Sequence, residues 1–246
     1  MSTDEIRRAM VLAAGLGLRM RPLTETRPKP LVELAGRTLL DRALDHLAAA
    51  GIREVVVNTH YRGEMVAAHL SGRPGITLSP EEILLDTGGG IANALPHLGA
   101  DPFIVVNSDT VWSDGQTPAL RRLMDFWDES RMDALLLLHP TVACSGVSDS
   151  GDFQMEPDGR LRRRREGEVA AFVFTGVQIL HPRLFEGAPD GPFSLNLLYD
   201  RAQEAERLFG LRHDGEWFHV GTPRELEATA ALFDGAPDAR EFWVRR

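Results

Sequence analysis

Short apolar runs alternate with amphipathic stretches along the first half of the chain. Ala9-Met10-Val11-Leu12-Ala13 is a continuous apolar run that gives way to Gly15, the pattern of a buried strand feeding a loop. From Thr38 to Ala50 the apolar residues Leu39, Leu40, Ala43, Leu44 and Leu47 recur at helical spacing, and Gly51 stands where a C-cap belongs. Glu54–Asn58 reads as a second strand, Gly63–Leu70 as a helix, and Ile76–Ser79 as a third strand. Gly88-Gly89-Gly90 opens a helix running to about Leu98, and Phe103–Asn107 is a fourth strand ending in polar Ser108 and Asp109. This βα rhythm predicts a doubly wound α/β sheet, with the site formed by loops at the strand C-termini.

The second half is less regular. Ala134–His139 and Ala171–Leu180 read as strands, the latter interrupted at Thr175-Gly176. Asp152–Met155 followed by Asp158-Gly159 and Arg160 predicts a hairpin with a type I′ turn. Helical patterns cover Leu195–Leu208 and Pro223–Phe233. With no long linker and no repeat, residues 1–246 read as one domain. Its first half (1–133) is the expected nucleotide-binding part, and its second (134–246) is expected to share the same sheet.

Composition narrows the class. The 246 residues are 43% apolar and 26% charged, as in an ordinary globular protein, and 27 basic against 36 acidic residues give a net charge of −9. A nucleic-acid surface is disfavoured by that sign, although a small anion can still bind in a locally positive pocket. One cysteine, Cys144, excludes an internal disulfide and a cysteine-rich metal site. No apolar run approaches the length of a membrane span, and Met1–Arg8 is charged, so a cytoplasmic protein acting on a small molecule is expected.

The densest chemistry lies in Leu12-Ala13-Ala14-Gly15-Leu16-Gly17-Leu18-Arg19, closed by Arg27-Pro28-Lys29-Pro30. Gly15 and Gly17 let the backbone turn and approach a ligand, and successive N–H groups can cradle phosphate oxygens. Arg19 and Lys29 add full charges, with Arg21 and Arg27 as secondary candidates, and the flanking prolines restrict the backbone around Lys29. A dinucleotide fingerprint would need a glycine where Met20 stands, and a Walker loop would need Lys-Ser/Thr after the second glycine. Asp109 follows an apolar strand, where a parallel sheet presents its ligands.

This opening motif resembles that of the sugar-1-phosphate nucleotidyltransferases, with Leu18 in place of the usual Thr or Ser, and the resemblance extends over nearly the whole chain. It implies a single Rossmann-like (GT-A-like) domain with a mostly parallel central sheet and a smaller β-rich part that binds the sugar phosphate. It implies catalytic roles for Arg19 and Lys29, and nucleotide contacts from Ala13, Ala14, Gly15, Gly17, Glu81, Thr87 and Gly88. Asn107, Gly151, Asp152, Thr175 and Gly176 match the sugar-phosphate segments, in the stretches Gly146–Phe153 and Phe174–Val177. Asp109 is implied as a Mg²⁺ ligand. The family's second metal-binding carboxylate falls on His219, in Trp217-Phe218-His219-Val220-Gly221-Thr222. His219 is therefore a ligand, a water-mediated contact or a neighbour of Trp217, and its presence also leaves room for a non-catalytic sugar-nucleotide sensor. The run Leu85-Asp86-Thr87-Gly88-Gly89-Gly90 looks most like the N-acetylmuramate-1-phosphate uridylyltransferases of peptidoglycan recycling.

The implied reaction joins an NTP (UTP on this resemblance) to a sugar-1-phosphate, giving an NDP-sugar and pyrophosphate. No nucleophilic side chain is required, consistent with the lack of a convincing triad around Ser108, His97 or Cys144. Guanylyl or cytidylyl transfer to mannose- or heptose-1-phosphate or phosphocholine is the alternative. A dehydrogenase is disfavoured because the second strand ends at Asn58 rather than at an acidic residue. A monomer or small homo-oligomer is expected, without a nucleic-acid or membrane partner. The basic run Arg160–Arg165 is expected as a solvated flap, or else as a mobile clamp over phosphate.

Overall fold

The computed structural model describes residues 6–144 and 150–233. Among them are thirteen strands and six α-helices. The first half runs β1 (Arg8–Leu12), β2 (Glu33–Leu34), β3 (Arg37–Thr38), α1 (Leu39–Ala49), β4 (Glu54–Thr59), α2 (Gly63–Leu70), β5 (Ile76–Pro80), α3 (Asp86–Leu98), β6 (Phe103–Asn107), β7 (Thr110–Ser113) and α4 (Ala119–Phe126). The second half runs β8 (Ala134–Pro140), β9 (Phe153–Met155), β10 (Leu161–Arg163), β11 (Phe172–Leu180), α5 (Asn196–Glu204), β12 (Leu208–Arg212), β13 (Glu216–His219) and α6 (Pro223–Phe233).

The central sheet carries the order β5-β4-β1-β6 in parallel, and β11 continues it antiparallel to β6. Strand β8 pairs with β11 and, in parallel, with β12, while the β9–β10 hairpin joins at the start of β11. Side-chain alternation divides the core into two layers. Ala9, Val11, Ile104 and Val106 face α1, α2 and α4, whereas Met10, Val56, Phe103 and Val105 face α3 and α5. A third cluster joins Met20, Val32, Leu34, Val111, Val220 and Leu226 beside the main sheet. There β7 pairs antiparallel with β13, setting Thr110 opposite His219.

Local chemistry explains the element ends. The Thr38 hydroxyl caps α1 by accepting from Asp41 N (3.0 Å), and Gly51 follows it at φ 89°. Three expectations are corrected. The helix expected at Leu195–Leu208 is shorter, Asn196–Glu204, because Leu208 already belongs to β12 beside β8. Helix α3 begins at Asp86, before the triple glycine. The hairpin turn is not type I′: its closing bond runs from Gly159 N to Glu156 O (2.9 Å), around Pro157 and Asp158, and of the turn residues only Gly159 has positive φ. The sequence pattern does not predict strands β2, β3, β7, β12 and β13 or helix α4.

His46 stacks on Trp112 with ring centroids 3.8 Å apart, while His139 and His213 lie near one another with centroids 6.1 Å apart. Burial holds all three imidazoles below the ordinary histidine range, so they are neutral in the fold. On acidification the unfolded chain takes up protons first, and stability falls as pH drops below about 6.5. The thermal midpoint is therefore expected to drop by a few degrees between pH 7.5 and 5.5, each kcal/mol lost lowering it by about 2–4 °C. An unchanged midpoint would mean that these rings protonate in place.

Candidate active site

The carboxyl ends of β1, β4 and β6 meet over a cavity of about 540 Å³. The glycine-rich loop forms one wall, with Ala14, Gly15, Gly17, Leu18 and Arg19. Gly17 lies in the left-handed region at φ 62°, and a Cβ there would stand 3.0 Å from both Lys29 Cβ and Thr24 Cγ2. The loop is pinned at this point, since Gly17 O accepts from Met20 N (3.0 Å) and Thr24 Oγ1 (2.8 Å). Arg19 sits in a short 3₁₀ turn, exposed to the cavity, with no hydrogen bond or ion pair to the described residues.

Lys29 occupies the 3₁₀ turn Lys29–Leu31, between Pro28 and Pro30. Its Nζ lies 2.5 Å from Asp109 Oδ2, with the lysine side chain 12% exposed and the aspartate 33%. Asp109 follows the end of β6, held there as Ser108 N donates to Leu12 O (3.0 Å). Burial alone would raise the Asp109 carboxyl, but the Lys29 ammonium and, secondarily, His219 hold it below the usual range. His219 is kept neutral chiefly by burial, against the pull of Asp109. It stands close enough to sense Asp109 but does not line the cavity, whereas Gly221 does. Leu84, Asp86 and Thr87 close the side opposite the glycine loop, above buried Glu81.

A half-buried ammonium on a carboxylate, a free guanidinium and a glycine loop suit a polyanion. Among the described residues no group of three or more His, Cys, Asp or Glu could hold a metal, so a cation here would need ligands from its substrate. Comparison with known proteins agrees. The MobA-like NTP transferase domain family matches residues 9–188. The chain is 45% identical over 232 residues to an N-acetylmuramate alpha-1-phosphate uridylyltransferase of Caulobacter vibrioides, covering 91% of this chain and 96% of that protein. A protein of the same name from Neisseria meningitidis serogroup B is 36% identical, over 92% and 97%. The chain is a nucleotidyltransferase of the MobA-like family. The fold agrees with a UDP-glucose pyrophosphorylase structure complexed with UDP-glucose (TM-score 0.78, 16% identity, 94% and 99% covered).

In this nucleotidyltransferase, Arg19, Lys29, Ala14, Gly15, Gly17, Glu81, Thr87, Asn107 and Asp109 line one cavity. Ala13 does not offer its N–H, which donates to Asn58 Oδ1 (2.7 Å). The glycines of α3 also depart from expectation. Gly88, Gly89 and Gly90 are buried against protein: a Cβ on each would meet the Phe193 ring at 2.3 Å, Gly191 O at 2.4 Å and Glu81 Oε1 at 2.7 Å. The free N–H groups at this helix start are not left for an anion either, because Gly88 and Gly89 both donate to Phe193 O (2.9 and 3.2 Å).

Thr175 and Gly176 lie behind the cavity rather than on it. Thr175 O accepts from Thr110 Oγ1 (2.8 Å) and Trp217 Nε1 (3.0 Å), fixing the floor under Asp109. Gly151 and Asp152 also stand apart from the cavity. Gly151 O accepts from Arg164 Nε (2.9 Å), and Asp152 Oδ2 accepts from Phe174 N (2.9 Å). Residues 145–149 of the expected Gly146–Phe153 segment lie outside the described residues.

The basic run lies on the partly exposed β9–β10 hairpin and the residues just after it, and three of its arginines are tied down by ion pairs. Arg160 pairs with Asp158 and Glu206, Arg162 with Glu168, and Arg163 with Asp200. Cys144 Sγ lies 3.2 Å from His139 Nδ1, yet burial and Asp152 push its thiol up to about 12, so the pair is no activated nucleophile.

Gly176 makes the floor testable. At φ 88°, a Cβ would fall 2.3 Å from Thr110 Oγ1 and 2.9 Å from Asn107 Nδ2. Gly176→Ala is expected to destabilise the protein by at least about 1–3 kcal/mol and to lower activity through Asn107 and Asp109. Thermal unfolding with a parallel rate assay checks both, and a stable, fully active variant would contradict this account of the floor.

Proposed function

We propose that the protein transfers the uridylyl group of UTP to N-acetylmuramate α-1-phosphate, releasing pyrophosphate and forming the UDP-sugar, in the cytoplasm. The observation that carries the reaction is the Lys29–Asp109 pair beside Arg19 in the glycine-walled cavity. The choice of substrates rests on the two relatives that are 45% and 36% identical. An oxygen of the sugar phosphate attacks the α-phosphorus, and the bond to the pyrophosphate oxygen breaks. No proton need move, so the chain's work is alignment and charge neutralisation.

Arg19, which has no ion pair among the described residues and lines the cavity, takes charge on the departing pyrophosphate. Lys29 is held between two prolines, which limits the freedom it must lose when it faces phosphate. Gly15 and Gly17 keep side chains away from the phosphate path. An ionised, partly exposed aspartate that belongs to no group of three or more such ligands among the described residues fits Mg²⁺, which takes one or two carboxylates together with phosphate oxygens and water. Asp109 would hold it, His219 would stand behind, and the ion would supply neutralisation of phosphate charge.

Lys29→Ala and Arg19→Ala are each expected to lower kcat/KM by about 10²-fold or more, the scale seen when one charge-stabilising donor is removed. Asp109→Asn should raise the Mg²⁺ requirement, and chelation should abolish pyrophosphate release. A panel of four NTPs against several sugar-1-phosphates tests the substrates. A preference for GTP with mannose-1-phosphate would replace this reading, and full activity after chelation would remove the metal from it.

A further inference from the structure

The end of β4 and the residues after it hydrogen-bond to both walls of the cavity. Asn58 is 3% exposed and fully engaged: its Oδ1 accepts from Ala13 N (2.7 Å), and its Nδ2 donates to Glu81 Oε1 (2.7 Å). Glu81, 6% exposed, uses its other oxygen to accept from Leu85 N (2.9 Å), just before Asp86 turns into α3 at φ 60°. The same strap holds the Glu81 backbone, since Glu81 N donates to Thr59 O (2.8 Å) and His60 Nδ1 donates to Glu81 O (2.9 Å). It also reaches the far end of the glycine-rich segment. Tyr61 Oη donates to Thr24 O (2.9 Å), and Arg62 Nη2 donates to Glu25 O (2.5 Å).

Glu81 is thus a buried carboxylate among neutral donors, without an ion pair to any described residue. Such a group is costly unless its oxygens are satisfied, so the positions of Asn58 and Leu85 follow from it. The polarity is one-way. Glu81 can only accept, Ala13 N can only donate, and Asn58 alone supplies both an acceptor and a donor between them.

We propose that Asn58 is a positioning residue that sets the glycine-rich loop and the Leu84–Thr87 wall in register, and that Glu81 acts on the nucleotide through this relay rather than by reading the base directly. The inference rests on the reading of this cavity as the nucleotide site. It predicts that affinity for UTP depends on the donor–acceptor polarity of the relay rather than on a carboxylate at position 81.

Polarity reversal tests it. Asn58→Asp keeps an acceptor for Ala13 N but sets a carboxylate against Glu81. Glu81→Gln keeps an acceptor for Leu85 N but turns a donor toward Asn58. Combined, the two substitutions restore every hydrogen bond, with donor and acceptor exchanged only between positions 58 and 81. Each single variant is expected to raise the KM for UTP about tenfold or more, with the KM for sugar phosphate changed less than about threefold. Each should also speed amide exchange at Ala13 and Leu85 in the substrate-free protein. The double variant should return the UTP KM to within about threefold of wild type, a coupling that only interacting residues show.

Losses that multiply in the double variant, or an Asn58→Asp protein with unchanged UTP KM and unchanged exchange, would overturn the proposal. Tyr61→Phe serves if Asn58→Asp does not fold. It removes the hydroxyl's bond to Thr24 O and the one it accepts from Arg62 Nε (3.1 Å), and should raise the UTP KM by about threefold at near-constant thermal midpoint, and no change would count against the strap. If wild-type protein releases no pyrophosphate from UTP, the functional reading fails by itself, and amide exchange at Ala13 and Leu85 still decides the positioning role.

Discussion

The Lys29–Asp109 contact is the constraint around which the site is arranged. A mostly buried ammonium and a partly buried carboxylate 2.5 Å apart each offset the other's lost hydration. The pair joins two parts of the chain 80 residues apart, the Pro28-Lys29-Pro30 turn and the end of β6. Everything nearby serves this joint. Gly17 leaves room for Lys29 Cβ, and Thr175 and Gly176 brace Thr110 immediately after Asp109.

The second organising feature is close packing without side chains. Three consecutive glycines at a helix start suggest an open cradle for phosphate, yet here they let protein approach protein. Phe193 occupies the space above Gly88 and its carbonyl caps the helix, Gly191 sits against Gly89, and the Asn58–Glu81 pair presses on Gly90. On the proposed function, anion binding falls instead to the loop after β1, where Gly15, Gly17 and Arg19 line the cavity together. The helix N-terminus that would have competed for the anion is already satisfied.

Charge is distributed to match. The chain is acidic overall, at −9, and several of its arginines away from the site are paired, as Arg37 is with Asp45, Arg122 with Asp214 and Arg163 with Asp200. Among the described residues Arg19 has no such partner beside the cavity, so local positive charge survives there within an acidic protein. That arrangement admits a polyanion to one place without making the whole surface sticky for nucleic acid.

The sequence by itself determined the parallel half of the sheet, because each of β1, β4, β5 and β6 is an uninterrupted β-rich run and each intervening helix carries its own apolar stripe. It also determined Arg19, Lys29 and Asp109 as the charged centre, since a contiguous motif and a strand end are local features. Tertiary structure decided the rest. Strands β7, β12 and β13 are short and exist through partners far along the chain, which is why Leu208 looked helical until β8 claimed it. The roles of Ala13, Gly88, Thr175 and Asp152 turned on which distant group took their hydrogen bonds or filled their space. Asn58 showed the same limit most clearly. It was legible as the end of a strand, but its work depends on Ala13, 45 residues earlier, and Glu81, 23 residues later, and no local period encodes that meeting.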